Sequence, residues 1–197
     1  MYFYIVETED FAAARAAWAS FLGHPNPGIR AQAEKKQRLV GELDRPVELR
    51  FTGLNGETVD LAQLRGKVVL IDFWATWCAP CIAELPNLKA TYAELHPKGF
   101  EIVGVSCDMA PVPDRKSPAA RTAEQVRAFV EKNGMTWSHH YEGRKHNEGG
   151  NSLAERFGVT GIPAMLLLDQ RGHIVAVNAR GAKLRAEVAR LLGLPPT

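Results

Sequence analysis

Apolar and polar positions fall into short blocks of two kinds. Residues 68–74 (Val-Val-Leu-Ile-Asp-Phe-Trp) are apolar apart from one position, and residues 101–106 are nearly so. Runs of this length suit strands buried on both faces of a sheet. Residues 47–51 alternate instead, as a half-exposed strand does. Asn55-Gly56 then signals a hairpin whose second arm covers 57–61. Residues 164–169 and 173–178 read as another antiparallel pair across Gln170-Arg171-Gly172, and 137–141 as a short strand. Helical spacing appears at 8–22, where Thr8 is a cap and Phe11, Ala14, Trp18 and Phe21 form one stripe. Further helices are expected at 29–42, 79–95, 122–133 (closed by Gly134), 152–157 and 182–192. Residues 110–119 and 142–150 are polar or rich in Pro and Gly and read as loops. Strands alternating with helices give an α/β fold, and the closing hairpin makes its central sheet mixed. Pro46 marks a boundary: 1–45 form a helical N-terminal extension, and 46–197 the main domain, which opens on a β-hairpin. The apolar stripe of the extension is expected to pack on that domain.

A chain of 197 residues is long enough for one core without metal or disulfide staples. Net charge is only +2, and the densest basic cluster, Lys35-Lys36-Gln37-Arg38, is flanked by Glu34 and Glu42. Nucleic-acid binding is therefore not suggested. No apolar run approaches membrane-spanning length. The start, MYFYIVETEDF, has neither a basic flank nor a small-residue cleavage site, so it does not read as a signal peptide. A cytoplasmic location and a lost targeting segment both stay open.

Chemistry concentrates at the cysteines. There are three, Cys78, Cys81 and Cys107, and an odd count is a poor disulfide scaffold. Cys78-Ala79-Pro80-Cys81 stands where a buried strand gives way to a helix. Unpaired N–H groups and the helix dipole stabilise an anion there, which lowers a thiol's pKa. Two intervening residues place the second sulfur one turn further on, within reach of a disulfide. Pro80 suits the first helical turn, where its missing N–H costs nothing. Cys78 is expected to be the exposed attacking thiol and Cys81 the more buried resolving one. Half of a zinc site is a competing reading, but no second Cys pair or matching His spacing exists. A static structural disulfide is another, although so small a ring constrains little.

The segment FWATWCAPC, residues 73–81, resembles the active-site segment of thioredoxins, and Gly161-Ile162-Pro163 resembles that superfamily's cis-proline loop. With Glu84, Pro86 and the 67–72 lead-in, the pattern is most similar to the TlpA-like thiol:disulfide reductases, over about residues 47–192. The resemblance implies a thioredoxin-like fold. It also implies a cis Pro163 beside Cys78 that presents the Ile162 backbone to a bound peptide. Asp72 matches the buried acid of thioredoxins and would exchange a proton with Cys81. Many TlpA-like proteins lack an acid there. Glu84 matches a glutamate that tunes the site. The plain alternatives are a buried structural Asp72 and an exposed helix acid at Glu84. Trp77 and Pro80 join Ile162 and Pro163 as expected substrate contacts, and Trp74 shields the pair or simply belongs to the core. Cys107 reads as an inert buried thiol, or as a third redox thiol. His139 and His140, adjacent in a strand, should face opposite ways.

The function these residues imply is thiol:disulfide exchange. Cys78 attacks a substrate disulfide, and Cys81 resolves the mixed disulfide with help from Asp72. No cofactor is expected beyond the Cys78–Cys81 disulfide. The partners would be a disulfide-bearing substrate protein and an upstream protein reductant, since no flavin or nicotinamide motif is present. A monomer is expected, and family analogy places it in the bacterial periplasm or envelope. One rival is a thiol peroxidase on the same fold. The Thr or Ser that such enzymes carry three residues before their cysteine is Ala75 here. The other is a non-catalytic metal- or partner-binding module.

Overall fold

The longest apolar run becomes strand β3 (Val68–Trp74), buried at every position and central in the sheet. The structure is a computed structural model that describes residues 11–43, 45–111, 120–143 and 153–195. Ahead of β3 come helices α1 (Phe11–Ser20) and α2 (Pro27–Glu42), then strands β1 (Arg50–Thr52) and β2 (Thr58–Asp60). After it follow α3 (Ala79–Leu95), β4 (Phe100–Ser106), α4 (Ala123–Lys132), β5 (Ser138–Tyr141) and α5 (Leu153–Arg156). Strands β6 (Ala164–Leu168) and β7 (Ile174–Val177) and helix α6 (Gly181–Leu191) complete the chain. The main sheet runs β5-β4-β3-β6-β7, with β3, β4 and β5 parallel and β6 antiparallel to both β3 and β7. This is the mixed α/β architecture that the strand and helix pattern implied.

Each side of β3 faces its own core. Val68, Leu70 and Trp74 pack with Cys78, Cys81, Leu85 and Leu88 from the redox turn and α3, and with Leu184 and Val188 of α6. Val69, Ile71 and Phe73 face the other way, onto Val47, Leu49, Val59 and Phe157. Alternation along a strand makes this division, so Asp72 shares the cysteine side with Leu70 and Trp74. Helix α4 starts where Thr122 accepts the Gln125 N–H while the Gln125 side chain accepts the Thr122 N–H, a reciprocal cap.

The first hairpin departs from expectation. Only Arg50–Thr52 pairs with Thr58–Asp60, rather than a strand over 47–51. Val47 and Leu49 do alternate inward, but their backbone partners lie elsewhere: the Val47 N–H donates to Gly172, and the Leu49 carbonyl accepts from Leu61. The pattern recorded burial, not ladder pairing. The hairpin tip also reaches the main sheet, because the Leu54 N–H donates to His139 and its carbonyl accepts from Arg127.

In the N-terminal part, α1 packs on α2, and α2 contacts α5. Trp18 is buried and Phe21 half-buried, 6.1 Å apart between ring centroids. The proposed cap Thr8, the side chains of Phe11 and Ala14, and most of the two expected loops (112–119 and 144–150) lie outside the described residues. No helix among the described residues is long and apolar enough to cross a membrane.

Candidate active site

Strand β3 ends at Trp74, and four residues later Cys78 caps α3. Its extended backbone (φ −84°, ψ 92°) turns the sulfur back over the helix start, where it accepts the Cys81 N–H at 3.3 Å. Pro80 lies in the first turn, as its missing N–H allows. Cys78 and Cys81 form a disulfide with an S–S distance of 2.05 Å. The expected contrast in exposure is absent: Cys78 is 4% and Cys81 5% exposed. In the disulfide each sulfur covers part of the other, so burial does not tell the two apart. Place does: Cys78 holds the cap and Cys81 lies inside the helix. Trp77 is 45% exposed beside them, and Pro80 and Ile82 are exposed too.

The Ile162–Pro163 bond is cis. Ala164 is the register partner of Phe73, so this loop enters β6 beside the end of β3 that carries the cysteines. Asp72, two residues from that end, is 2% exposed, and burial pushes its carboxyl up to about 7. Arg180 pulls it back down, while Glu84 adds to the rise. Glu84 is more than an exposed helix acid. It is half-buried, and its Oε1 accepts the Gly181 N–H at 2.7 Å and the Asn87 side-chain amide at 2.7 Å. It therefore ties the redox helix to the start of α6.

Several contributors were invisible to motif reading. Buried Asp108 accepts the Thr76 N–H at 2.9 Å, the Thr76 hydroxyl at 2.6 Å and the Ser106 hydroxyl at 2.9 Å. It anchors the turn that carries Trp77 and Cys78 to the end of β4. Arg180 donates to the Pro163 carbonyl and, at 3.3 Å, to Asn178 Oδ1. The signal in the sequence was slight: Asn178 and Gly181 bracket a turn before a helix, and both have positive φ.

Cys107 is half-buried at the end of β4, and burial, with Glu142, Asp108 and Asp72 nearby, pushes its thiol up to about 12. It stays a neutral thiol, which fits the inert reading. His139 is buried between Trp74 and Trp137, at centroid distances of 5.3 and 5.8 Å, whereas His140 lies on Phe51 at 4.9 Å. The two face opposite ways, as their positions implied. Among the described residues no group of three or more His, Cys, Asp or Glu could hold a metal ion.

Residues 40–192 match the redoxin family. The chain belongs to that family. It is 26% identical over 149 residues to the thiol-disulfide oxidoreductase ResA of Halalkalibacterium halodurans, covering 76% of this chain and 73% of that protein. It is 30% identical over 137 residues to the thiol:disulfide interchange protein HelX of Rhodobacter capsulatus, covering 70% of this chain and 66% of that one. Among solved structures it is similar to the thioredoxin domain of a thiol-disulfide oxidoreductase from Bacteroides vulgatus, with a TM-score of 0.61 and 29% identity. That match covers 75% of this chain and 95% of that domain. A redoxin chain with a thioredoxin-like fold and a Cys-x-x-Cys disulfide at a helix start is a thiol:disulfide oxidoreductase.

Proposed function

We propose that this redoxin reduces protein disulfides, with Cys78 as nucleophile, Cys81 as resolving thiol and Asp72 as proton acceptor. The Cys78–Cys81 disulfide at the N-terminus of α3 carries the reading. In the reduced protein the same cap position, with the Cys81 N–H aimed at the Cys78 sulfur, favours a thiolate at Cys78. That thiolate attacks one sulfur of a substrate disulfide. The substrate S–S bond breaks, a Cys78–substrate disulfide forms, and the leaving sulfur takes a proton. Cys81 then gives its proton to Asp72 and attacks the Cys78 sulfur. The second substrate thiol departs and the Cys78–Cys81 bond closes. Two electrons have passed to the substrate, and an upstream protein dithiol must supply two more, becoming a disulfide itself, before the next cycle.

Asp72 suits the second step because a carboxyl titrating near neutral pH can accept a proton and release it again. Glu84 supports the helix end through Gly181. Exposed Trp77 and Pro80, with Ile162 and Pro163 on the adjoining loop, form the substrate contact surface. The partners are a disulfide-bearing protein and an upstream protein reductant, and the protein acts as a monomer. By analogy with its relatives, its compartment is the bacterial envelope.

The test is a trapping experiment with reduced variants and a disulfide-bonded protein such as insulin. Cys81→Ser should accumulate a mixed disulfide at Cys78, and Cys78→Ser should accumulate none. Equal trapping by both variants would overturn the assignment of nucleophile.

A further inference from the structure

The segment Asn178-Ala179-Arg180-Gly181, which leads into α6, touches three parts of the site at once. Asn178 Oδ1 accepts the Met165 N–H at 3.2 Å, and the Asn178 N–H donates to the Met165 carbonyl at 2.7 Å, which fixes the segment to the start of β6. The Gly181 N–H donates to Glu84 on the redox helix. Between them, one guanidinium nitrogen of Arg180, Nη2, donates both to Asn178 Oδ1 and to the carbonyl of Pro163. Arg180 is exposed, so its five N–H donors are not needed to satisfy a buried core.

We propose that Arg180 is a positioning residue with two separable tasks: its Nη2 holds the Pro163 loop in register with the redox helix, and its positive charge acts on Asp72, whose strand partner Met165 holds Asn178. The proposal rests on the mechanism above, in which Asp72 receives the Cys81 proton. Holding the Pro163 carbonyl keeps the loop's substrate-facing backbone at a fixed distance from Cys78. A positioned loop contributes to substrate binding because small misplacements at a reacting centre are costly. The charge acts on the second step. Burial holds the Asp72 carboxyl up, and Arg180 is the cation that opposes this rise. The other charged group bearing on Asp72 is Glu84, which raises it further; the uncharged cysteine pair lies on the same side of the sheet. Cys107, at the end of β4, senses the Asp72 charge. The strand neighbours of Asp72, Gly104 on β4 and Met165 on β6, carry none. Lys and Arg differ here in a useful way. Lys keeps the charge, but its nitrogen is one atom nearer the backbone than the Arg180 Nη2 that holds the Pro163 carbonyl.

The full-length chain is made as Arg180→Gln, Arg180→Lys and Asp72→Asn. KM for a disulfide-bonded protein is measured for each. So is the pH dependence of mixed-disulfide resolution, by rapid mixing. Arg180→Gln should raise KM several-fold and move the acidic limb of the resolution profile to higher pH. Arg180→Lys should return the limb towards wild type while KM stays raised. If both variants keep the wild-type KM and limb, even with a lowered melting temperature, Arg180 is only structural and the proposal falls. If both variants shift both readouts alike, the two tasks are not separate and the proposal falls in that form. Asp72→Asn guards the premise. If it leaves the wild-type limb in place, the error lies in the role given to Asp72, and the KM comparison still decides the loop-holding task.

Discussion

Asp72 and His139 are ionisable groups buried behind the redox pair, and they bend stability with pH in opposite directions. Asp72 titrates near 7 in the folded chain, above the ordinary carboxylate range, because burial penalises its charge. The folded state therefore binds its proton more tightly than the unfolded state does. Stability is highest below about pH 4 and is lost as pH rises to about 7, by up to about 4 kcal/mol. His139 is pushed down to about 3, again by burial, with a Met135 backbone contact opposing. Here the unfolded state binds the proton more tightly. The stability present above pH 6.5 is lost as pH falls towards 3, at up to about 1.4 kcal/mol per pH unit. In denaturant unfolding of the oxidised protein, Asp72→Asn should gain on wild type between pH 4 and 8. His139→Phe should instead flatten the loss between pH 6.5 and 4. A constant offset across pH in either variant would contradict the cause assigned. At this scale the motif residues were legible because they act next to their own neighbours in sequence. Cys78, Cys81, Pro80 and Pro163 all stand in short local patterns. Arg180, Asp108 and the true setting of Glu84 were not legible, because each works through a distant contact. The Glu84–Gly181 bond spans 97 positions.

At the scale of elements, β3, α3, β4 and α4 were readable because continuous apolar runs, a helix-starting Pro and a capping Thr each leave a local mark. The first hairpin was readable only in outline, since its ladder is set by where Val47 and Leu49 find backbone partners in the main domain. Helix α2 is joined to that domain by a specific ion pair. Glu42, 6% exposed, lies 2.9 Å from Arg156 and 2.9 Å from Arg45. Burial alone would raise its carboxyl, but the two guanidinium groups outweigh it and hold the value below the ordinary one. Arg156 also lies over the Phe157 ring at 5.1 Å. A chain beginning at Arg45 would leave Arg156 without Glu42 and uncover the surface under α2. We expect it to keep disulfide reductase activity, since every residue placed in the mechanism lies later. We also expect it to unfold at lower temperature, with a loss of about 1–3 kcal/mol. Thermal melts and insulin reduction on the same sample check both halves. A well-folded truncation without activity would place part of the site in α1 or α2.

Across the whole molecule, the sheet divides two cores, and the catalytic chemistry stands on one side at the ends of parallel strands. The α/β class was legible from the alternation of runs and helical spacing. The order of strands was not, because pairing between segments far apart leaves no trace in local composition. One consequence follows from the Asp108 anchor. Thr76, in the turn that carries Cys78, is tied by its amide and its hydroxyl to a carboxylate at the end of β4. Opening that turn would break both bonds and leave a buried carboxylate with the Ser106 hydroxyl but without the two Thr76 donors, so it should open only when much of the sheet does. In hydrogen–deuterium exchange the Thr76 amide should be protected on the timescale of the β3 and β4 amides, in oxidised and reduced protein alike. Asp108→Ala should release it to the fast rates of a surface loop while the β3 amides stay slow. A redox enzyme of this build would meet its substrates with a rigid turn, and the adjustment that docking demands would fall to the partner's chain.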